Sequence, residues 1–420
     1  DLAIVGNSRI GALLDAAASV VWMCVPRFDG DPMFCALLDN NSADGRFDVT
    51  LENGGAVEQA YITNTAILRT VMEDSAGGKL ELLDFAPRHY QHGRMFNPVT
   101  LVRIARRLAG RPRIRVRFTP RCDNGQGKPD ITFGSHHIRA ANPSYPMRLT
   151  TDAPVTHVIE SNAFLLLDSY TFILGPDETL QGSPASSGAH MLEETERYWH
   201  RWVRNLAVPF EWQDAVIRAA ITLKLNTYDD TGGIIAAMTT SIPEAPGTTR
   251  NWDYRHCWLR DAYFVVNALN RLGVTGSLEG YLRYIEEILA AEGAAHLQPV
   301  YGVSGVRDLT EQIAPGLAGY LGLGPVRVGN QAYEQVQHDV YGSVVLGASH
   351  AFFDRRIVRR ADQVLFRQLE ELGQRAFLSY AAPDNGLWEF RGRREIHTFS
   401  AAMCWAACDR LRRIAQHLGD

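Results

Sequence analysis

The chain has 420 residues, 46% of them hydrophobic and 21% charged, which is the composition of a soluble globular protein and not of a disordered or fibrous one. That length exceeds one ordinary core, so two domains are expected, and no apolar run approaches the roughly 20 residues of a membrane span. The net charge of −5 argues against nucleic acid or an anionic membrane surface as the partner.

The chain opens on Asp1 and runs straight into the strand-like Leu2-Ala3-Ile4-Val5. Up to about residue 185 the apolar runs are short and alternate or cluster as strands do, at 20–24, 66–72, 80–85, 100–105, 114–118, 131–138, 155–159 and 164–174. Gly, Pro, Asn and Asp punctuate them, which predicts an antiparallel β-sandwich. The Arg-rich segment from Arg103 to Arg121 belongs to this pattern. In Arg113-Ile114-Arg115-Val116-Arg117-Phe118 the arginines alternate with apolar residues, as on the solvated face of a strand.

After the Gly/Ser/Pro stretch 181–188 the period becomes helical. Leu192, Thr195, Trp199, Trp202 and Leu206 share one stripe of a connecting helix, and Trp212, Val216, Ala219 and Leu223 share one on the next. Further helices are expected at about 260–272, 277–292, 333–350, 355–373 and 397–416, six after the connector. The expected division is a sandwich domain at 1–188, a connecting helix at 189–208 and a helical domain at 209–420. Loops at 227–259, 293–332 and 374–396 are long, whereas those at 273–276 and 351–354 are short. Long structureless loops are usually functional, and in an antiparallel helical array every second loop lies at the same end. The functional residues should therefore share one face.

Six cysteines show no paired framework and no zinc-site spacing. Free thiols in a cytoplasmic protein fit them best, with Cys404 and Cys408 packing on one helix face. No metal and no cofactor is expected.

The most informative segment is Arg250-Asn251-Trp252-Asp253-Tyr254-Arg255-His256-Cys257-Trp258-Leu259-Arg260-Asp261. Aromatic rings stack on the C–H face of a pyranose, and an Arg–Asp pair supplies donors and acceptors for its hydroxyls in fixed geometry. A buried structural ion pair beside core aromatics is the other way to read it. A second cluster, Asp384-Asn385-Gly386-Leu387-Trp388-Glu389-Phe390-Arg391-Gly392, again sets a carboxylate beside a tryptophan in a turn-rich loop.

These blocks, with Trp22-Met23-Cys24-Val25-Pro26-Arg27-Phe28-Asp29 and Gly324-Pro325-Val326-Arg327-Val328-Gly329-Asn330 followed by Gln335, Gln337, Asp339 and Tyr341, resemble glycoside hydrolase family 15, the glucoamylase family, in its bacterial branch. The resemblance implies an N-terminal β-sandwich followed by an (α/α)6 barrel, and an exo-acting, inverting α-glucosidase. It implies Glu389 as general acid, Arg260 and Asp261 on the hydroxyls of the terminal glucose, Trp258 and Trp388 as pocket walls, and Arg327 reaching the same site. Asp253 and Tyr320 are further substrate-binding candidates, and Tyr301, Tyr333 and the Arg27-Phe28-Asp29 loop are candidates for the leaving side. A carboxyl flanked by Leu387, Trp388 and Phe390 is desolvated in the direction that keeps its proton, as a general acid requires.

An inverting glycosidase also needs a carboxylate base about 6.5–9.5 Å from the acid. In the family that base lies well downstream of the Trp-Glu motif. The expectation is a barrel truncated to about half its helices, with the base absent from these 420 residues and apolar helix faces left exposed. If the base is present, Asp253 and Asp339 are the places to look. Two alternatives stay open. An inverting disaccharide phosphorylase needs only the acid, but no Gly-rich loop opening a helix and no Lys/Ser cluster offers an obvious phosphate cradle. A non-catalytic carbohydrate-binding protein would leave the acid loop unexplained.

Overall fold

The computed structural model describes residues 2–39, 43–292, 297–358 and 361–420. Up to residue 176 the chain is mainly β, in two large antiparallel sheets and a separate hairpin of His89–Gln91 with Arg94–Phe96. One runs in the order Ala3–Gly6, Gly11–Leu14, Val20–Val25, Arg46–Leu51, Arg113–Thr119, Ala163–Leu165, with Asp31–Phe34 added beside Val20–Val25. The other runs Asp130–Phe133, His137–Ala141, Met147–Thr151, Ser169–Pro176, Leu101–Ala109, Lys79–Phe85, Leu68–Asp74, Gly54–Tyr61. Phe47, Val49 and Val116 of the first sheet share one apolar layer with Leu82, Leu101 and Phe172 of the second. The Phe47 and Phe172 rings meet edge to face at 6.2 Å across it, which is the sandwich expected from the short punctuated runs.

Three expectations in this part are corrected. The run 155–159 is not a strand but a short helix, α1 (Val155–Ile159), with Val155 and Val158 buried on one face and Ile159 exposed. Five apolar residues fit either period, and the face that packs decides between them. The runs 131–138 and 164–174 each divide into two strands, the first turning at Gly134, whose N–H donates to the carbonyl of His137 at 2.9 Å. Arg103 is not on a solvated face. It is fully buried and pairs with fully buried Asp84 at 2.6 Å, its guanidinium also donating to the carbonyls of Phe47 and Ala18. A buried guanidinium is tolerable only when its donors are matched in this way. Arg113, Arg115 and Arg117 do alternate with buried Ile114 and Val116 as expected.

The outer face of the second sheet is covered too. Leu83, Phe85, Val102, Ile104 and Ile173 pack under Leu192 of α2 (Pro184–Arg204). This helix starts where its local chemistry dictates, with Pro184 in its first turn and Ser183 accepting a hydrogen bond from the Ser186 amide at 3.1 Å. Leu192, Thr195 and Trp199 are buried as the stripe requires.

The helices that follow are α3 (Gln213–Leu225), α4 (Leu259–Arg271), α5 (Thr275–Glu292), α6 (Asp339–Ala348), the short α7 (His350–Phe353), α8 (Gln363–Ser379) and α9 (Thr398–Leu418). The buried set of α3 is Ala220, Ile221, Lys224 and Leu225, while Trp212 precedes it and is 79% exposed. The expected stripe through Trp212 was therefore misphased. The helix expected at 355–373 starts at Gln363, because Asp362 caps it by accepting from the amides of Val364 and Leu365 at 3.0 Å. The one expected at 333–350 is a 3-10 turn at Gln331–Glu334 followed by α6. Buried along nearly its whole length, α6 packs between α4 and α9. Val344, Val345, Ala262, Leu369 and Cys404 share its core. The six cysteines are unbridged. Phe377 and Leu378 of α8 and Trp405 of α9 are largely exposed. Among the described residues no helix is long and apolar enough to cross a membrane.

The sandwich also supports the long loop after α3. Trp22, Cys24 and Phe28 pack against Tyr228, Ile235 and Met238, and the Trp22 indole donates to the carbonyl of Met238 at 2.7 Å.

Candidate active site

The three long loops converge on one cavity of about 570 Å3. Segment 250–258 supplies Arg250, Trp252, Tyr254 and Trp258, and segment 330–335 supplies Asn330, Ala332 and Gln335. Leu387, Trp388, Glu389, Phe390 and Arg391 close another side, and Arg260 with Asp261 enters from the first turn of α4.

Along 252–255 the pleat of an extended chain sends alternate side chains to opposite sides. Trp252 and Tyr254 line the cavity, whereas Asp253 and Arg255 are buried. Asp253 accepts from Arg255 Nε at 2.9 Å and Nη2 at 2.7 Å, and from the amides of Arg255 and Gly329 at 3.1 Å. His256 Nε2 lies 3.5 Å away. Arg255 reaches on to the carbonyl of Gly30 in the sandwich at 2.9 Å. Burial alone would raise the Asp253 pKa, but Arg255 and His256 reverse it and hold the carboxyl well below the usual range. The expectation of Asp253 as a substrate ligand is corrected. It is a fully buried brace behind the aromatic wall, and the structural reading of the Arg–Asp chemistry applies to this pair.

Glu389 lines the same cavity. Its side chain is 21% exposed, toward the cavity it lines. One oxygen, Oε1, accepts from the Trp258 indole at 2.5 Å and from Gln337 Nε2 at 3.1 Å, with Arg260 Nη2 at 3.6 Å. Among the described residues no hydrogen bond is made to Oε2. Burial raises the pKa of this carboxyl above the ordinary glutamate value, the neighbouring Asp261 charge adds to the rise, and Gln337, Arg260 and Trp258 oppose it.

The loop is built to hold that placement. Asn385 donates to the carbonyls of Phe390 at 2.9 Å and Arg393 at 3.3 Å and accepts from the Val336 amide at 3.2 Å. Glu389 has a left-handed backbone, φ 55°, which is unfavourable for a residue with a Cβ. Such a conformation persists only where its surroundings over-determine it. Asp384, also in this cluster, is away from the cavity and accepts from the His338 amide and Ser400 Oγ, both at 2.7 Å.

Arg260 is 13% exposed and pairs with Asp261 at 3.6 Å and with Asp339 at 3.3 Å, and it donates to Gln337 at 2.8 Å. Gln337 thus bonds both the arginine and the acid, a role that only the fold reveals. Asp339 is fully buried at the start of α6, and Asp253 is walled in. Neither of the two candidate bases can hold a water in the cavity.

Arg327 does not line the cavity. It bonds Glu311 at 2.7 Å and lies 5.0 Å from the ring centre of Trp252, which does line it. Arg391, missed in the sequence, holds the same Glu311 at 2.6 Å and approaches the Trp252 ring to 3.8 Å. Tyr320 packs with Trp22 and Phe28, outside the cavity. Tyr301 is core, Phe28 is buried edge-on to Tyr228, and Tyr333 packs beside Trp258 without lining the cavity. The leaving-side candidates are corrected accordingly. Glu244, Arg250 and Tyr254 do line the cavity, with Glu244 bonding Arg250 at 2.7 Å and Tyr254 at 3.0 Å.

Residues 212–420 match the model of glycosyl hydrolases family 15, and residues 1–165 match that of the trehalase-like N-terminal region. The chain is 30% identical to a trehalase of Mycobacterium tuberculosis and 31% identical to one of Mycolicibacterium smegmatis, with all of this chain aligned to 65% and 66% of theirs. A trehalase of Thermoplasma volcanium is 28% identical over 99% of this chain and 66% of its own length. The chain therefore spans about 65% of the length of these relatives. The cavity lies within the matched helical part, and the chain belongs to glycosyl hydrolases family 15.

Proposed function

We propose that the protein is an exo-acting, inverting α-glucoside hydrolase that cleaves α,α-trehalose, with Glu389 as general acid. The observation that carries this reading is the asymmetry of the Glu389 carboxyl. Three donor groups surround Oε1, so the proton resides on Oε2 and is given to the glycosidic oxygen as the C1–O bond breaks. Arg260 and Asp261 bind the hydroxyls of the glucose being cleaved, while Trp252, Tyr254 and Trp258 present ring faces to the sugar. Trehalose is preferred over maltooligosaccharides, isomaltose and dextran because the similar proteins named above are trehalases.

In this reading water attacks C1 from the opposite face with the help of a second carboxylate. Glu244 and Asp261 are the other carboxylates lining the cavity, and both are engaged with arginine, so the base is taken to come from outside these 420 residues. The helical part is read as half of an (α/α)6 barrel, which the exposed Phe377, Leu378 and Trp405 support. The domain division remains a sandwich to residue 188, a connector at 189–208 and the catalytic part at 209–420.

Proton NMR of trehalose hydrolysis by the full-length protein tests this. Inversion at one C1 gives one β-glucose and one α-glucose per trehalose before mutarotation. Two α-glucoses would refute inversion, and activity only with phosphate, releasing a glucose phosphate, would make the enzyme a phosphorylase.

Arg260→Lys and Asp261→Asn are each expected to cost more than about 2 kcal/mol in kcat/KM, because each leaves sugar hydroxyls unpaired. Unchanged kinetics with a lowered Tm would make the pair structural. Trp258→Phe removes a donor that favours ionised Glu389, so the Glu389 pKa rises further. The alkaline limb of the pH–rate profile should then move to higher pH, and a limb that stays in place would remove Glu389 from that limb.

A further inference from the structure

We propose that a second cavity, between the sandwich and the helices, binds a phosphate-type oxyanion at the N-terminus of α5. This cavity, of about 450 Å3, shares no lining residue with the Glu389 cavity. Four observations support the assignment independently of the hydrolase reading.

The first is charge. Arg88, Lys224 and Arg283 line the cavity against one carboxylate, Asp229. Arg88 and Lys224 both bond that same carboxylate, at 2.7 Å and 2.8 Å, so one buried cation there is left without a counter-charge of its own.

The second is the helix terminus. α5 has 18 residues and no acidic residue in its first turn, and the preceding Val274 has no side-chain acceptor with which to cap it. Its first amide, Thr275 N–H, is taken up by the Gly273 carbonyl at 3.1 Å, and the amides of Gly276 and Ser277 that follow present the donors and the positive end of the helix dipole. At Gly276 a Cβ would meet nothing within 4 Å, so the approach to these amides is open.

The third is a pair of buried donors without partners. Ser277 is 3% exposed and Arg88 is 2% exposed. Both line the cavity, and neither Ser277 Oγ nor Arg88 Nε has a hydrogen-bond partner among the described residues. Unmade hydrogen bonds of this kind are costly unless a ligand completes them.

The fourth is shape. The cavity exceeds what a phosphate group needs, and Tyr198 and Trp202 line it as well, a surface suited to a sugar attached to the phosphate. No sequence motif announced this cradle, because its cations come from a strand-end loop at Arg88, from α3 and from α5. Lys224, Arg88 and Ser277 are far apart in the chain and are neighbours only in the fold.

Isothermal titration of the chain with sodium phosphate, and separately with glucose 6-phosphate, tests the proposal. Saturable binding with a dissociation constant of about 1 mM or tighter is expected, weakening as NaCl is added. Gly276→Asp places a carboxylate in open space where the helix dipole favours it, so the fold is kept, and it should weaken phosphate binding at least about tenfold by occupying the site. Arg283→Ala, at an exposed position, should weaken it about threefold. Glucose 6-phosphate binding about tenfold more tightly than phosphate would assign the sugar to Tyr198 and Trp202. Equal affinities would make the free ion the occupant. Absence of saturable binding by either ligand overturns the proposal. So does affinity unchanged in both variants, which would locate the phosphate among the arginines around Glu389.

Discussion

Glu389→Gln is expected to lower kcat by at least about a hundredfold while substrate still binds, since general acid catalysis contributes roughly 10²–10⁴. Glutamine keeps the size of the side chain and an oxygen that can accept from Trp258 and Gln337, so the loop need not move. What it lacks is the proton on the second oxygen. The pH dependence follows with a definite sign. Burial raises the Glu389 pKa, so the acid form persists above the usual glutamate range and activity falls as pH rises through the shifted pKa. The glutamine variant should lose that alkaline limb along with its rate. Residual activity within a fewfold of the unaltered enzyme would remove Glu389 from the acid role.

The second large effect is on stability. Asp253→Asn is expected to destabilise the fold by about 3–5 kcal/mol in urea unfolding, because it leaves the buried Arg255 guanidinium without its counter-charge. That guanidinium ties the loop 252–258 to the sandwich through Gly30, so Trp252 and Tyr254 should lose their placement as well. With its folded pKa depressed, Asp253 contributes fully above its unfolded value of about 4 and progressively less as pH falls below that. A variant with unchanged stability and lost kcat/KM would return Asp253 to the substrate site, where the sequence alone had suggested it.

How far the sequence reaches is visible in these two carboxylates. That Glu389 lines the cavity was legible from its place beside Trp388 in a turn-rich loop and from several blocks that recur in family order along the chain. Asp253 was misassigned for a physical reason. Successive residues of an extended chain face opposite ways, and nothing local states which of Trp252 and Asp253 faces the cavity. The direction is set by Arg255 finding the Gly30 carbonyl, a contact across 225 residues.

The same division runs through the whole chain. Local periodicity and punctuation determined the existence and class of most elements, the change from β to α near residue 185 and the three long loops, because these depend on neighbours within a few residues. Tertiary packing alone decided that 155–159 is a helix, that Arg103 is buried against Asp84, and that Gln337 links Arg260 to Glu389. It also gathered Arg88, Lys224 and Ser277 around one cavity, since burial and charge pairing depend on partners that sequence separation does not reveal.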